Sequence, residues 1–158
     1  MVTAVKLSPI FEIYEVTDPA TFIGLKKEWN LLVKSTCRIP LYFHEYIQSL
    51  IDSFFSQAKL RILIGRNKSG RLVAALPLVE ARGMIWKIPV RELTSIANSY
   101  SERFDLIAED EETAAMLFWD YLKSDHSWQV LRIIEVPQGG KAWWFKEAAT
   151  AAKFPVGY

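Results

Sequence analysis

The chain has 158 residues, room for one compact domain of the usual ~100–200 residues and too few for two. Hydrophobic residues make up 51% and charged residues 23%, which excludes a disordered or low-complexity chain and provides for a sizeable core. Lys and Arg number 19 against 18 Asp and Glu, and a net charge of +1 argues against the broad basic surface that a phosphate backbone draws in.

Phe11 to Val16 alternates apolar and polar residues and predicts a half-buried first strand. Asp18 suits an N-cap and Pro19 the first helical position, where its missing N–H costs nothing. Phe22, Leu25, Trp29, Leu32 and Val33 follow at spacings of three and four, the stripe of one helix that ends before Ser35-Thr36. After the connector Arg38-Ile39-Pro40, a second helical period runs through Phe43, Ile47, Leu50, Ile51 and Phe54 to about Phe55. Leu60 to Arg66 and Arg71 to Val79 read as strands of a hairpin, because Asn67-Lys68-Ser69-Gly70 between them supplies residues that take positive φ readily. Met84 to Ile88 and Val90 to Ile96 are further extended segments, with Pro89 restricting its neighbour to β conformations. Phe104 to Ala108 fits an inner strand, and Asp110 to Lys123 a helix whose acids sit at its positive end. A strand from Trp128 to Val136 and an alanine-rich helix from Gly140 to Lys153 complete a β-α-α-β-β-β-(β)-α-β-α order, a mixed α/β (α+β) single domain over residues 1–158.

That order resembles the GNAT acyltransferase superfamily. The texture is more specific: Phe22-x-x-Leu25-x-x-Glu28-Trp29-Asn30-x-Leu32, then Gly70-Arg71-Leu72-Val73-Ala74-Ala75-Leu76-Pro77-Leu78-Val79, then Asn98-x-x-Ser101 leading to Phe104-Asp105-Leu106-Ile107, then Trp128-x-x-Leu131-x-x-Ile134. Over roughly residues 11–153 it is similar to the N-terminal half of the CelD/BcsL class of acetyltransferase-like proteins, associated with cellulose and exopolysaccharide biosynthesis and distantly related to the Fem-type aminoacyl transferases. The resemblance implies a three-layer arrangement, a mixed, mostly antiparallel central sheet with helices on both faces. It also implies that the chain is half of a longer acyl-CoA-dependent N/O-acyltransferase, with acetyl-CoA or another acyl-CoA as cofactor of the full-length protein. Its partners would be a C-terminal GNAT half or a second copy, and a sugar or amino-sugar acceptor.

In such a site the acyl-CoA pyrophosphate rests on backbone N–H groups at a helix N-terminus, in a glycine-rich turn that lets it approach closely. The corresponding place follows Phe104 to Ala108, and Glu109-Asp110-Glu111-Glu112 stands there instead. Four carboxylates repel phosphate, so no cofactor is expected to bind this half in the usual manner. Gly65-x-x-x-x-Gly70-Arg71-Leu72 lacks the Lys-Ser/Thr of a P-loop and brackets a hairpin. Gln138-Gly139-Gly140 fits the loop before a helix.

His44 and Glu45 are adjacent and point apart on a helix, and His126 falls in a polar turn; neither histidine has a second ligand at metal spacing. His44 is expected to be partly exposed and Cys37, the single cysteine, a buried inert thiol; one thiol can form neither an internal disulfide nor a thiolate metal cluster. No catalytic base stands out. The polar loop Asn98-Ser99-Tyr100-Ser101-Glu102-Arg103 and Asp105 carry the substrate-binding expectation: Asn98, Tyr100, Ser101, Arg103 and Asp105 offer hydrogen bonds and a ring face for a sugar. Trp143, Trp144 and Phe145 cannot all face one core and are expected to form an interface. The longest apolar run, Leu72 to Val79, is far short of the ~20 residues of a spanning helix, so no membrane insertion, no nucleic acid and a cytoplasmic location are expected. A non-catalytic dimerisation module and a complete small N-acetyltransferase are the alternatives.

Overall fold

The structure, a computed structural model, describes residues 11–101 and 103–157; Glu102 of the polar loop lies outside them. In chain order the elements are β1 (Glu12–Val16), α1 (Pro19–Gly24), α2 (Lys26–Ser35), α3 (His44–Phe54), β2 (Lys59–Leu60), β3 (Ile62–Arg66), β4 (Leu72–Leu76), β5 (Leu78–Ile85), β6 (Ile88–Ser95), β7 (Ile107–Ala108), α4 (Glu111–Ser124), β8 (Val130–Arg132) and α5 (Trp143–Ala151). The protein is a mixed α/β fold in three layers. On one face α1, α2 and α3 pack Phe22, Trp29, Leu32, Val33, Ile47 and Ile51 against Ile62, Ile64, Leu72, Ala75 and Val79. On the other, Phe118 and Leu122 of α4 and Phe145 of α5 meet Leu63, Val73, Leu76 and Leu78. Adjacent strand residues thus feed opposite cores, as a strand's period of two requires.

The expected single central sheet is two four-stranded sheets, ordered β1-β3-β4-β7 and β2-β5-β6-β8. The described strand pairs are antiparallel except β6 with β8, which run parallel. Two segments read as single strands each cross from one sheet to the other: 60–66 breaks at Arg61 and 71–79 at Pro77. Proline has no N–H to place in a ladder. At this point the remaining groups still pair, Arg61 N–H donating to the Leu78 carbonyl at 2.9 Å and Ile96 N–H to the Pro77 carbonyl at 3.0 Å.

Other boundaries move for local reasons. The first apolar stripe covers two helices, because Leu25 N–H bonds the Phe22 carbonyl three residues back and tightens the turn, while Leu25 keeps right-handed angles and the stripe continues across it. The Asn67–Gly70 turn forms as expected, with Asn67 Oδ1 accepting from Ser69 and Arg71 and with Gly70 at φ +79°. The second hairpin differs: Pro89 lies inside β6 opposite Met84, and the turn falls on Trp86 and Lys87, at φ +51° and +66°. Positive φ at both central residues marks the mirror-image two-residue turn, in which non-glycine residues cost about 1 kcal/mol each. The strands expected over 104–108 and 128–136 shrink to two and three residues.

Each residue of the Glu28-Trp29-Asn30 segment ties α2 to something else. Glu28 holds the Arg66 guanidinium by two bonds at 2.5 and 3.0 Å. Trp29 is fully buried and its indole N–H donates to the Tyr42 carbonyl at 2.8 Å. Asn30 Oδ1 accepts the His44 N–H at 2.8 Å, capping α3, and its amide donates to Glu45, which Asn30 first and then Lys26 hold down to about 2. His44 is buried, contrary to expectation, with its ring 4.3 Å from Phe22 and Nε2 2.8 Å from the Phe22 carbonyl. Cys37 is exposed, because α2 ends just before it and the chain turns outward through Arg38 at φ +53°.

Arg61 is the buried charge at the bend. Its guanidinium faces Glu15 of β1, Glu80 of β5 at 2.9 Å and Asp125 after α4 at 2.6 Å, while Tyr121 donates to Glu15 at 3.0 Å. Burial opposes ionisation of Asp125, yet the Arg61 and Ser127 hydrogen bonds prevail and hold it at about 2, below its ordinary 3.8. A carboxylate depressed in the folded state stabilises above its unfolded pKa and loses that contribution as pH falls through the folded value. Stability measured by urea denaturation should therefore fall between about pH 4 and pH 2. Arg61→Ala, which leaves three carboxylates without their shared cation, should cost about 3 kcal/mol at pH 7 and flatten that acid dependence.

Candidate functional site

The site the resemblance points to lies where β7 leads into α4 and the chain leaving β8 meets α5. Two helix N-termini lie here, each with unpaired N–H groups and a partial positive charge. Both are filled by the chain's own carboxylates.

At α4, Asp110 is the N-cap: its side chain accepts the Thr113 N–H at 3.1 Å and the Thr113 hydroxyl at 2.7 Å. Glu111 and Glu112 occupy the first turn, and Glu109 pairs with Arg71 across from β4. A recess of about 190 Å³ beside this point is lined by Phe11, Asn67, Val73, Glu109 and Asp110. It therefore presents two carboxylates.

At α5 the carboxylate comes from far away in sequence. Asp105 accepts the Lys141 N–H at 2.9 Å and the Ala142 N–H at 2.6 Å, as well as the Leu106 N–H at 2.9 Å. Gly140 makes the approach feasible, because a Cβ there would stand 2.9 Å from the Pro137 carbonyl and 3.1 Å from Asp105 Oδ2. Next to it the Phe104 N–H donates to the Glu135 carbonyl at 2.8 Å, and Glu135 itself sits at φ +59°, bending the chain away from the direction of β8. Phe104, 2% exposed, fills the space beneath. The segment before β7 is thus sewn to the segment after β8.

The five expected substrate-binding residues divide. Asn98 and Ser101 serve one another: Ser101 Oγ accepts the Asn98 N–H at 2.8 Å and donates to Asn98 Oδ1 at 3.0 Å, and Ser101 is wholly buried. Asp105 is spent on α5. Tyr100 is 84% exposed, and Arg103 is exposed with its Nε donating to the Tyr42 hydroxyl at 3.1 Å. Burial pushes that hydroxyl up to about 12, so it stays a neutral phenol. Of the aromatic triplet on α5, Phe145 is buried, whereas Trp143 and Trp144 are 40% and 39% exposed. The two tryptophans line a shallow groove of about 620 Å³ with Gln138, Gly139, Gly140, Lys146 and Glu147; the Trp143 indole donates to the Pro137 carbonyl at 3.0 Å and Lys146 Nζ lies 6.0 Å from its ring centroid.

His126 is exposed, and His44 is spent on a carbonyl. Among the described residues no three His, Cys, Asp or Glu side chains are gathered in a way that could hold a metal ion, and no helix is long and apolar enough to cross a membrane. The capping role of Asp105 has no local sequence signal, since its partners lie 36 and 37 positions later. The Gln138-Gly139-Gly140 run is the one trace, marking the close approach without naming what approaches.

No family model matches the chain, and no curated protein does. Among solved structures the chain is similar to a single-residue mutant of the BH1408 protein from Bacillus halodurans, at 12% identity and TM-score 0.50, over 93% of this chain and 94% of that one. A chain from Pyrococcus furiosus described as a "Putative acetyl transferase" matches at 13% identity and TM-score 0.49, over 93% and 95%. At such identity the likeness is one of fold alone.

If the Asp105 carboxylate carries the start of α5, Asp105→Ala should lower stability by about 2 kcal/mol, the upper end of the range for a lost cap, because a bond to the Leu106 N–H goes with it. Native-state hydrogen exchange should quicken at Lys141 and Ala142 before it does in β3 and β4.

Proposed function

We propose that this chain is a GNAT-like domain that serves an acyl-CoA-dependent acyltransferase of the CelD/BcsL kind as scaffold and acceptor-side surface, and does not hold the acyl-CoA itself. One observation carries the reading: the N-terminus of α4, where a pyrophosphate would rest in a GNAT site, already has Asp110 as its cap and Glu111 and Glu112 in its first turn. A phosphate brought there would displace a satisfied carboxylate and face its neighbours, at a cost that an electropositive helix end normally spares it.

What remains to offer a partner is the outer surface. Tyr100 and Arg103 present a ring face and a guanidinium from the polar loop, suited to the hydroxyls and ring of a sugar or amino-sugar acceptor. Trp143 and Trp144 present apolar area suited to a second GNAT half or a second copy that supplies the acyl-CoA and the base. In that arrangement the acceptor amine or hydroxyl attacks the thioester directly, with the proton taken by a residue of the partner.

Thermal melting of the chain with about 1 mM acetyl-CoA tests this. A ligand that binds only the native state raises the melting temperature, by several degrees at a hundredfold excess over its Kd. The expected result is no change beyond about 1 °C; a rise of about 3 °C or more would mean that the helix end accepts the nucleotide and that the domain is a transferase in its own right.

A further inference from the structure

The hairpin of β5 and β6 leaves the body of the protein. Exposure grows along β5 from buried Leu78 and Val79 to its tip, where Met84 is 66%, Trp86 91% and Ile88 64% exposed. Register places Met84 opposite Pro89 on one face and Ile85 opposite Ile88 on the other, so both faces of the tip are apolar. Trp86 stands at the turn itself, in a conformation that bulky residues avoid, and is almost wholly exposed there.

The charge around this tip has one sign. Residues 81–91 contain Arg82, Lys87 and Arg91 and no acid, on a chain whose net charge is only +1. The flanking acids are occupied, Glu80 by Lys59 and Arg61 and Glu92 by Arg132 at 2.7 Å. Arg82 and Arg91 lie directly opposite one another in the ladder, a like-charge pair that weakens a free hairpin. An anionic surface turns that repulsion into attraction.

We propose that the tip of this hairpin, Met84 to Pro89 with Arg82, Lys87 and Arg91 behind it, docks the protein onto an anionic lipid surface. The exposed apolar side chains project from both faces of the ribbon and from its end, an arrangement that a surrounding interfacial phase covers on every side. The aliphatic character of Met84, Ile85 and Ile88 suits acyl chains better than it suits the stacking of nucleic acid bases. Trp86 has the amphipathic ring that prefers the headgroup region, and the three cations fall behind it, where lipid phosphates and carboxylates lie. This is adsorption by a surface element and requires no span. The expectation of no membrane insertion concerns a spanning segment and is compatible with adsorption through a turn that gathers apolar residues at one point.

Co-sedimentation of the full chain with vesicles of phosphatidylcholine containing about one third phosphatidylserine, against phosphatidylcholine alone, tests the proposal. Binding should require the anionic lipid and weaken as salt rises. Arg82→Gln with Arg91→Gln should weaken it about 25-fold, taking about fivefold per cation. Trp86→Asn with Lys87→Gly installs the residue pair this turn favours, so the double variant should melt no lower than the parent while losing at least tenfold in vesicle binding. That combination separates loss of docking from loss of fold. The proposal is overturned if anionic vesicles are not bound, or if both double variants bind them as the parent does. It is equally overturned if light scattering shows that the turn variant dissolves a dimer while vesicles stay unbound, or if polyuridylate binds through the tip and vesicles do not.

Discussion

The bend in the sheet is the constraint on which the rest of the architecture depends, and Arg61 is the side chain that holds it. Two strands pass from one sheet to the other side by side, one through Arg61 and the other through Pro77. Proline removes a donor and permits the break. It does not set the angle. The guanidinium braces the break by reaching carboxylates on β1, on β5 and at the end of α4. A planar fork of five donors can serve three acceptors in fixed directions, which an ammonium on a flexible stem does less well. The net stabilisation from such a buried cluster is modest because all four charges lose water. Its larger effect is on geometry, since sheets meeting at another angle would leave Arg61 buried among fewer carboxylates. Beyond the bend, Phe104 and Asp105 are tied to Glu135 and to the start of α5.

What the sequence made legible is what depends on neighbours close along the chain. Helical stripes, the Asn67–Gly70 turn and the acidic start of α4 were readable because their physics is contained within a few residues. The three-layer arrangement was what the family resemblance implied, while the mixed α/β order of elements was itself readable. The break at Leu25 was not, since the hydrophobic period is blind to whether a turn closes over three residues or four while the backbone stays right-handed. Pro77 was visible in the sequence, but its meaning depended on a second break at Arg61 in the partner strand. The turn at Trp86-Lys87 ran against local preference, and reading propensity alone put a boundary at Pro89 instead. The capping role of Asp105 and the burial of His44 lie beyond sequence reading for a common reason. Each has its decisive partner more than twenty residues away, at Lys141 and Ala142 for one and at Phe22 for the other. The sewn cleft was therefore the part of the candidate site that sequence could describe least.

The Glu28-Trp29-Asn30 segment illustrates how a recognisable motif can be entirely structural. It reads as a signature because three consecutive residues, each unusual on its own, are needed at once. A carboxylate meets Arg66, an indole crosses the core to Tyr42, and an amide is shared between the first N–H of α3 and the Glu45 side chain. Successive helical positions point about 100° apart, so a run of three can contact three different elements. Such a run marks the hub of a layer and says nothing about a reaction. Likeness carried by this segment is thus likeness of construction, in keeping with a structural match at 12% identity.

The two ends of the protein handle their polar and apolar groups in opposite ways. Around α4 and α5 the groups best able to take a ligand are already engaged internally: the helix termini hold Asp110 and Asp105, the Arg71 guanidinium holds Glu109, and Phe104 is buried beside them. At the hairpin tip the balance reverses, with a strained turn, a nearly bare indole, and an Arg82–Arg91 pair that faces no carboxylate among the described residues, the Arg91 guanidinium reaching only the His126 carbonyl at 3.4 Å. A sequence under selection for folding alone would put Asn-Gly at such a turn and a carboxylate opposite one of the arginines. Retaining Trp-Lys and Arg opposite Arg costs stability locally, and the fold absorbs that cost because the hairpin is a late extension of strands anchored by Leu78, Val79 and Leu93. Local conflicts of this kind are where function concentrates when the rest of a structure is internally consistent. On that argument the hairpin end is the surface left open to a partner, whereas the starts of α4 and α5 are occupied by the chain's own carboxylates.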